Sequence, residues 1–236
     1  MKNFLISMLA VLALSCTNDY AREDSESNFK KKDANSKKNA GLNPENTANA
    51  YDIAGKIHND LLDAYLSGNF SDQTISAISS KIDSISLLNS DLQNLPSYYP
   101  INFQEIQGIV DSPEMQLEQI IANSWMSTGS KNCLSEFMSL AALWQNSGYD
   151  AAYQSIISFE AAVANNQQFS AEEKRIILTS SAITRYSLYY ASERKDKDWE
   201  TSVGNRVGAV QGALSNSATA VTRSLLAGIL SSNTTE

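Results

Sequence analysis

The chain has a single histidine, His58, and so one side chain whose ordinary pKa puts a general base at neutral pH. Its natural partner is a thiol. Of the two cysteines, Cys16 and Cys133, the second stands in SKNCLSEF, about three residues into a helix capped by Ser130. Free backbone amides and the helix dipole lower a thiol's pKa at such a position. Cys133 with His58 as its base is therefore the arrangement of a thiol-dependent hydrolase. Against it stand 75 residues of separation and the lack of any local signature around the cysteine, and the plainer reading makes Cys133 a small buried apolar side chain. A second group, Arg185, Tyr186, Tyr189 and Tyr190 in TRYSLYYASE, offers a cation and aromatic faces to a ligand. The plainer reading buries the rings and leaves the hydroxyls wet. One histidine and scattered carboxylates fall short of a zinc site, so no metal is expected, and with no phosphate-binding loop or dinucleotide fingerprint no other cofactor is either.

These residues need elements to hold them. On a wheel of about 100° per residue, Ile57, Leu61, Ala54, Tyr65, His58, Tyr51, Leu62, Gly55 and Leu66 sweep one apolar arc with His58 at its centre. Asn59, Asp52, Asp63, Lys56 and Asp60 take the opposite, wet side. A histidine inside an apolar arc is either a buried neutral imidazole with partners on another helix or a site residue with access to solvent. All four prolines lie in the first half, at 44, 96, 100 and 113, and helical periodicity runs unbroken beyond the last. Ser112 before Pro113, the capping box Ser170 to Glu173 and Asp198 before Trp199 mark helix starts. Gly68, Gly129 and Gly148 mark stops. The expected helices are 49–66, 72–94, 103–110, 113–127, 131–146, 151–165, 171–194 and a long last one from 199. Within 72–94, Ile75, Ile78, Ile82 and Ile85 form a seam for the bundle or for a short coiled coil. Tyr98 and Tyr99, between Pro96 and Pro100, form a loop that either meets a ligand or makes a rigid corner. The fold class is all-α, a single bundle of seven or eight helices.

Upstream of the bundle the composition changes twice. An apolar run from Phe4 to Leu14 follows Lys2 and is too short for a permanent membrane span, though it fits the core of a signal peptide. Ala13, Leu14, Ser15 and Cys16 resemble a relaxed lipobox, which implies cleavage before Cys16 and its lipidation. Thr17 in place of aspartate points, by the same resemblance, to the outer membrane. Residues after Cys16 carry almost no aliphatic side chains and read as a disordered stalk that tethers the body. The stalk's six bases, the Lys30–Lys38 run among them, are matched by six acids, so a solvated linker is a better reading of that run than attraction to an anionic surface. The expected organisation is a signal peptide at 1–15, lipidated cysteine and tether at 16–47, helical domain at 48–232 and a disordered tail at 233–236. The body keeps 11 bases against 20 acids, a net charge of −9, and lacks the basic face that nucleic-acid binding needs.

Two features at the ends of the domain belong together. Asn49, Tyr51, Asp52, Gly55, His58 and Asn59 spell N-x-Y-D-x-x-G-x-x-H-N, and Asp198 and Trp199 precede Gly204, Gly208 and Gly212. This pair resembles uncharacterised exported lipoproteins of Gram-negative bacteria, which carry such a segment after the stalk and tend to close with a glycine-rich helix. Where those proteins often have proline before the tyrosine, this chain has Ala50. The resemblance covers the two ends and not the middle, and it implies a shared fold without a known activity. The glycines form a bare stripe for close approach of a neighbour, at a cost of about 1 kcal/mol each. That neighbour is a helix of the same domain or a second copy of the chain. The polar residues between Arg206 and Arg223 argue against a membrane span. The resulting expectation is a lipid-anchored outer-membrane domain, periplasmic or surface-facing, that binds or assembles without catalysis. The thiol hydrolase and a self-associating glycine-zipper protein, toxin-like or pore-forming, stand as alternatives.

Overall fold

The computed structural model describes residues 42–68, 74–144, 148–193 and 203–233. The signal peptide, Cys16, most of the tether, Asp198, Trp199 and the tail from 234 lie outside the described residues. Every regular element among those described is an α-helix: α1 (Ile53–Ser67), α2 (Ile75–Ser86), α3 (Ser90–Gln93), α4 (Phe103–Asp111), α5 (Pro113–Asn123), α6 (Thr128–Trp144), α7 (Tyr149–Asn165), α8 (Ala171–Glu193), α9 (Val203–Ala213) and α10 (Ser217–Asn233).

Among the described residues ten helices stand where seven or eight are expected, because two of the long stretches are broken by asparagine caps. Asn89 accepts a hydrogen bond from the Leu92 amide at 2.8 Å and starts α3, which splits 72–94 after Ser86. Asn216 does the same for Thr219 at 2.8 Å and splits the last helix into α9 and α10. A side-chain oxygen one turn before a helix satisfies an amide that continuing the previous helix would have satisfied, so the chain can turn there. Two other starts fall as expected, while the first helix begins at Ile53 and not at 49 and the helix from Pro113 ends at Asn123 and not at 127. Pro113 opens α5, and at α8 the reciprocal box forms, with the Ser170 amide donating to Glu173 and the Glu173 amide to the Ser170 hydroxyl. Gly129 ends no helix: it is the second residue of α6, and the cap there is Ser127, whose hydroxyl accepts from the Ser130 amide.

The hairpin of α9 and α10 lies at the centre. α10 packs on α1, α2, α4, α8 and α9, while α9 also meets α4, α5 and α8. Nearly every residue of the pair is buried, Asn205 and Arg206 included. Such closeness requires the glycines. A Cβ on Gly208 would lie 2.5 Å from the Arg223 carbonyl oxygen, and one on Gly212 2.5 Å from the Ala220 Cα. Gly204 would collide with Ser231. The stripe is therefore filled by α10 of the same chain, the first of the two neighbours expected for it. The isoleucine seam is part of the same core: Ile78 and Ile82 are fully buried and Ile75 and Ile85 pack beside them, with α2 lying on α1 and α10. Among the described residues no helix is long and apolar enough to cross a membrane.

Candidate functional site

The chain reaches the bundle along a short strap, residues 42–52, that belongs to the body and not to the tether as far as 47. Pro44 is buried in it, the Asn46 side-chain amide donates to Glu160 at 2.6 Å, and the Tyr153 hydroxyl donates to the Glu45 carbonyl at 2.9 Å. The Asn49 amide reaches the Leu178 carbonyl at 3.0 Å. Each bond ties the strap to α7 or α8.

Where the strap becomes α1, the side chain at the cap position is committed elsewhere. Asp52 makes no capping bond to its own helix. It accepts from Arg185 Nη2 at 2.5 Å and from the Tyr186 hydroxyl at 3.1 Å. Arg185 is fully buried, and its Nη2 also lies 3.2 Å from Glu160, a buried carboxylate of α7 that accepts from the Ser181 hydroxyl at 2.9 Å. Burial alone would lower the pKa of the guanidinium, but the charges of Glu160 and Asp52 outweigh it and hold the pKa above its ordinary value. Tyr186 is pushed up by burial and by the Asp52 charge beside it. A buried ion group of this kind must be complete, because a lone buried charge costs several kcal/mol.

Three residues on from Gly55, which admits Tyr186 and brings the Ala182 carbonyl to 2.6 Å from where a Cβ would stand, comes His58. It is fully buried. Nδ1 lies 3.1 Å from Asn59 Oδ1, and Nε2 lies 3.1 Å from Asn205 Nδ2. Asn59 Nδ2 donates to the Tyr186 carbonyl at 2.8 Å, and Asn205 Oδ1 accepts from the Ser224 hydroxyl at 2.6 Å. With both amide orientations fixed by these outer bonds, only one tautomer fits: Nδ1 carries the proton and Nε2 accepts. The chain Ser224, Asn205, His58, Asn59, Tyr186 carbonyl thus links α10, α9, α1 and α8 through bonds that all run in one direction. Desolvation lowers the His58 pKa to about 4, and the Asn59 bond offsets this only in part.

The side expected to be wet is therefore covered in part. Asp52 and Asn59 are half-buried against α8, while Asp63 stays exposed though it accepts from the Tyr190 hydroxyl at 2.6 Å, and Lys56 and Asp60 stay exposed, bonded at 2.8 Å. Tyr51 packs half-buried against the core. The Arg185 and tyrosine group does not form one ligand patch: Arg185 is in the ion group, Tyr186 and Tyr190 are buried, and Tyr189 rests edge-on against Tyr149 with ring centres 5.3 Å apart. The proline-flanked corner is held by the Tyr98 hydroxyl on Asp83 at 2.9 Å and by the Tyr99 amide on the Thr219 hydroxyl at 3.0 Å.

The imidazole of His58 has no nitrogen to offer Cys133. Both nitrogens of the imidazole are taken by amides, and Cys133 is buried on α6. It is the sixth residue of that helix, past the turn whose amides are free, so the expected activation by the helix start does not reach it. Among the described residues no three His, Cys, Asp or Glu side chains gather as a metal site would need.

What remains open to solvent at this end is a cleft of about 630 Å³ between the strap and the start of α1, bounded by Asn43, Glu45, Thr47, Ile53, Lys56 and Tyr186, with Asp52 at its wall. Glu160, Asn205, Ser224 and Asn46 are the site residues that sequence reading missed. Glu160 had a signal, since it falls on the α7 face with Ile156 and Val163, where a carboxylate needs a buried cation. Comparison of the chain with protein families, with curated proteins and with solved structures finds no match in any of the three.

Proposed function

We propose that this chain is an exported lipoprotein whose helical body works by binding or by assembly in the cell envelope, without catalysis. The supporting observation is that the groups best able to do chemistry are committed to holding helices together. His58 is bonded at both nitrogens, Arg185 and Glu160 are sealed in an ion group, and the amides of Asn49 and Asn59 grip α8. A general base needs access to its substrate's proton, and this imidazole has none. The likeness of the Asn49–Asn59 segment and of Ala13–Cys16 to exported lipoproteins supports the anchoring part of the reading. The strap cleft, with an exposed carboxylate at Glu45, a hydroxyl at Thr47 and an aromatic wall at Tyr186, is a concave surface open to a ligand.

The test is fractionation of cells carrying the full chain and its Cys16→Ala variant. The parent should pellet with membranes at low and high salt and enter the detergent phase on phase separation. The variant should be released. A variant that stays membrane-bound at both salt concentrations overturns the anchor.

A further inference from the structure

Between α2 and α3 the chain presents two adjacent leucines to solvent, Leu87 at 71% and Leu88 at 86% exposure. Isolated exposed leucines are ordinary on protein surfaces, but here two stand side by side at a turn. That turn is fixed. The Leu87 amide donates to the Asp83 carbonyl, the Leu88 amide to Ile85 and the Asn89 amide to Ser86, while the Gln93 side chain donates to the Ser86 carbonyl at 3.0 Å. On its far side buried Leu92 pins α3 to the core. The leucines therefore cannot fold back to cover themselves without breaking this set of bonds.

Their position carries the rest. Asp91, three residues past Leu88, is paired with Lys56 at 2.8 Å, and Lys56 stands in the first turn of α1. The same Lys56 shares the strap cleft with Asn43, next to the first described residue of the strap. The leucine turn and the point where the chain arrives from Cys16 thus lie at one end of the body, the N-terminal end of α1. Twenty-five residues separate Cys16 from Leu42, enough for a span of at most about 85 Å at 3.4 Å per residue, so the anchor lets this end meet the bilayer. The turn itself bears no unpaired charge to oppose contact: Asn89 and Ser90 are neutral and Asp91 is paired. The body's net −9 works against adhesion to anionic lipid by charge, so contact at this end needs an apolar group.

We propose that Leu87 and Leu88 form a membrane-contact tip that dips into the leaflet holding the lipidated Cys16. The proposal rests on the lipoprotein reading and goes beyond it, because a tether alone does not require the body to touch lipid. The experiment uses the full lipidated chain in phosphatidylcholine vesicles, with a fluorophore on Leu88→Cys; Cys133 is buried and Cys16 is blocked by its lipid. A control label goes on Ser139→Cys, on the exposed side of α6. Quenchers carried on the lipid chains should dim the label at 88 at least threefold more than the label at 139, and adding Leu87→Asp should remove most of that difference. Equal quenching at the two sites in a preparation that enters the detergent phase overturns the tip and leaves the anchor standing. A preparation that does not enter the detergent phase overturns the anchor, and the tip with it.

Discussion

A histidine between two amides has one proton and two fixed partners, and that arrangement makes His58 a sensor of acid through stability alone. Its pKa of about 4 in the folded chain stands against 6.5 in the unfolded one. Between those values the unfolded chain takes up a proton that the native state refuses, so stability is full above pH 6.5 and falls as pH drops towards 4. At about 1.4 kcal/mol per unit the loss comes to about 3 kcal/mol. Denaturant titrations from pH 7.5 to 3.5 should show this slope, and His58→Gln should flatten it; an unchanged slope in that variant refutes the assignment. Glu173 responds in a different window. Burial raises its pKa, but bonds from the Ser130 and Ser127 hydroxyls and from the Ser127 and Ser170 amides more than compensate and bring it to about 2. Its contribution is present above pH 4.5 and is lost as pH falls through 2, where it joins the start of α6 to the start of α8. Glu173→Gln should cost about 1–3 kcal/mol near neutral pH, measured by thermal unfolding, because a neutral amide cannot accept all of those bonds. Arg185→Ala, which strands Glu160 and Asp52 in the interior, should cost about 3–5 kcal/mol in the same assay.

At the level of helices, glycine substitutions separate close packing from mere presence of a glycine. Gly208→Ala drives a methyl into the α10 backbone and should destabilise by at least about 2 kcal/mol. Gly108→Ala, inside α4 and facing only the flexible Gln116 side chain at 3.5 Å, should stabilise by about 0.5–1 kcal/mol. Equal effects at the two positions in denaturant melts would discard the packing account. The same contrast shows what was legible beforehand. The apolar arc of α1, the capping box at Ser170 and the glycine stripe could be read because each depends on neighbours in sequence. The breaks at Asn89 and Asn216 were missed, since an asparagine within an otherwise helical pattern is a cap only if the chain turns there, and tertiary packing decides that. The wet side of α1 was misjudged for a related reason. Its Asp52, Asn59 and Asp63 are polar because α8 offers Arg185, a carbonyl and Tyr190 as partners, and a wheel drawn for one helix cannot show the chemistry of the next. The neutral imidazole was foreseeable from its apolar surroundings, whereas its partner Asn205 lies 147 residues away with nothing local to mark it.

Across the whole molecule, the bonds that define the interior join its two ends. Asp52 meets Arg185 over 133 residues, and α1 packs against α10. Ending the chain after Ala213 removes α10 and leaves bare the glycine faces of α9 and the inner sides of α1, α2 and α4. Such a truncation should give no cooperative melt by circular dichroism, and a sharp transition would show that the hairpin is dispensable. The α9–α10 hairpin is local, but α1 meets α8 and α10 only across most of the described chain, so closing the bundle must wait for distant segments to find one another. A ribosome releases the central hairpin after α1 to α8. Until both of its helices have emerged, α1, α2 and α4 lack the surface that covers their inner sides, so the earlier helices are made before the partner that lets them settle.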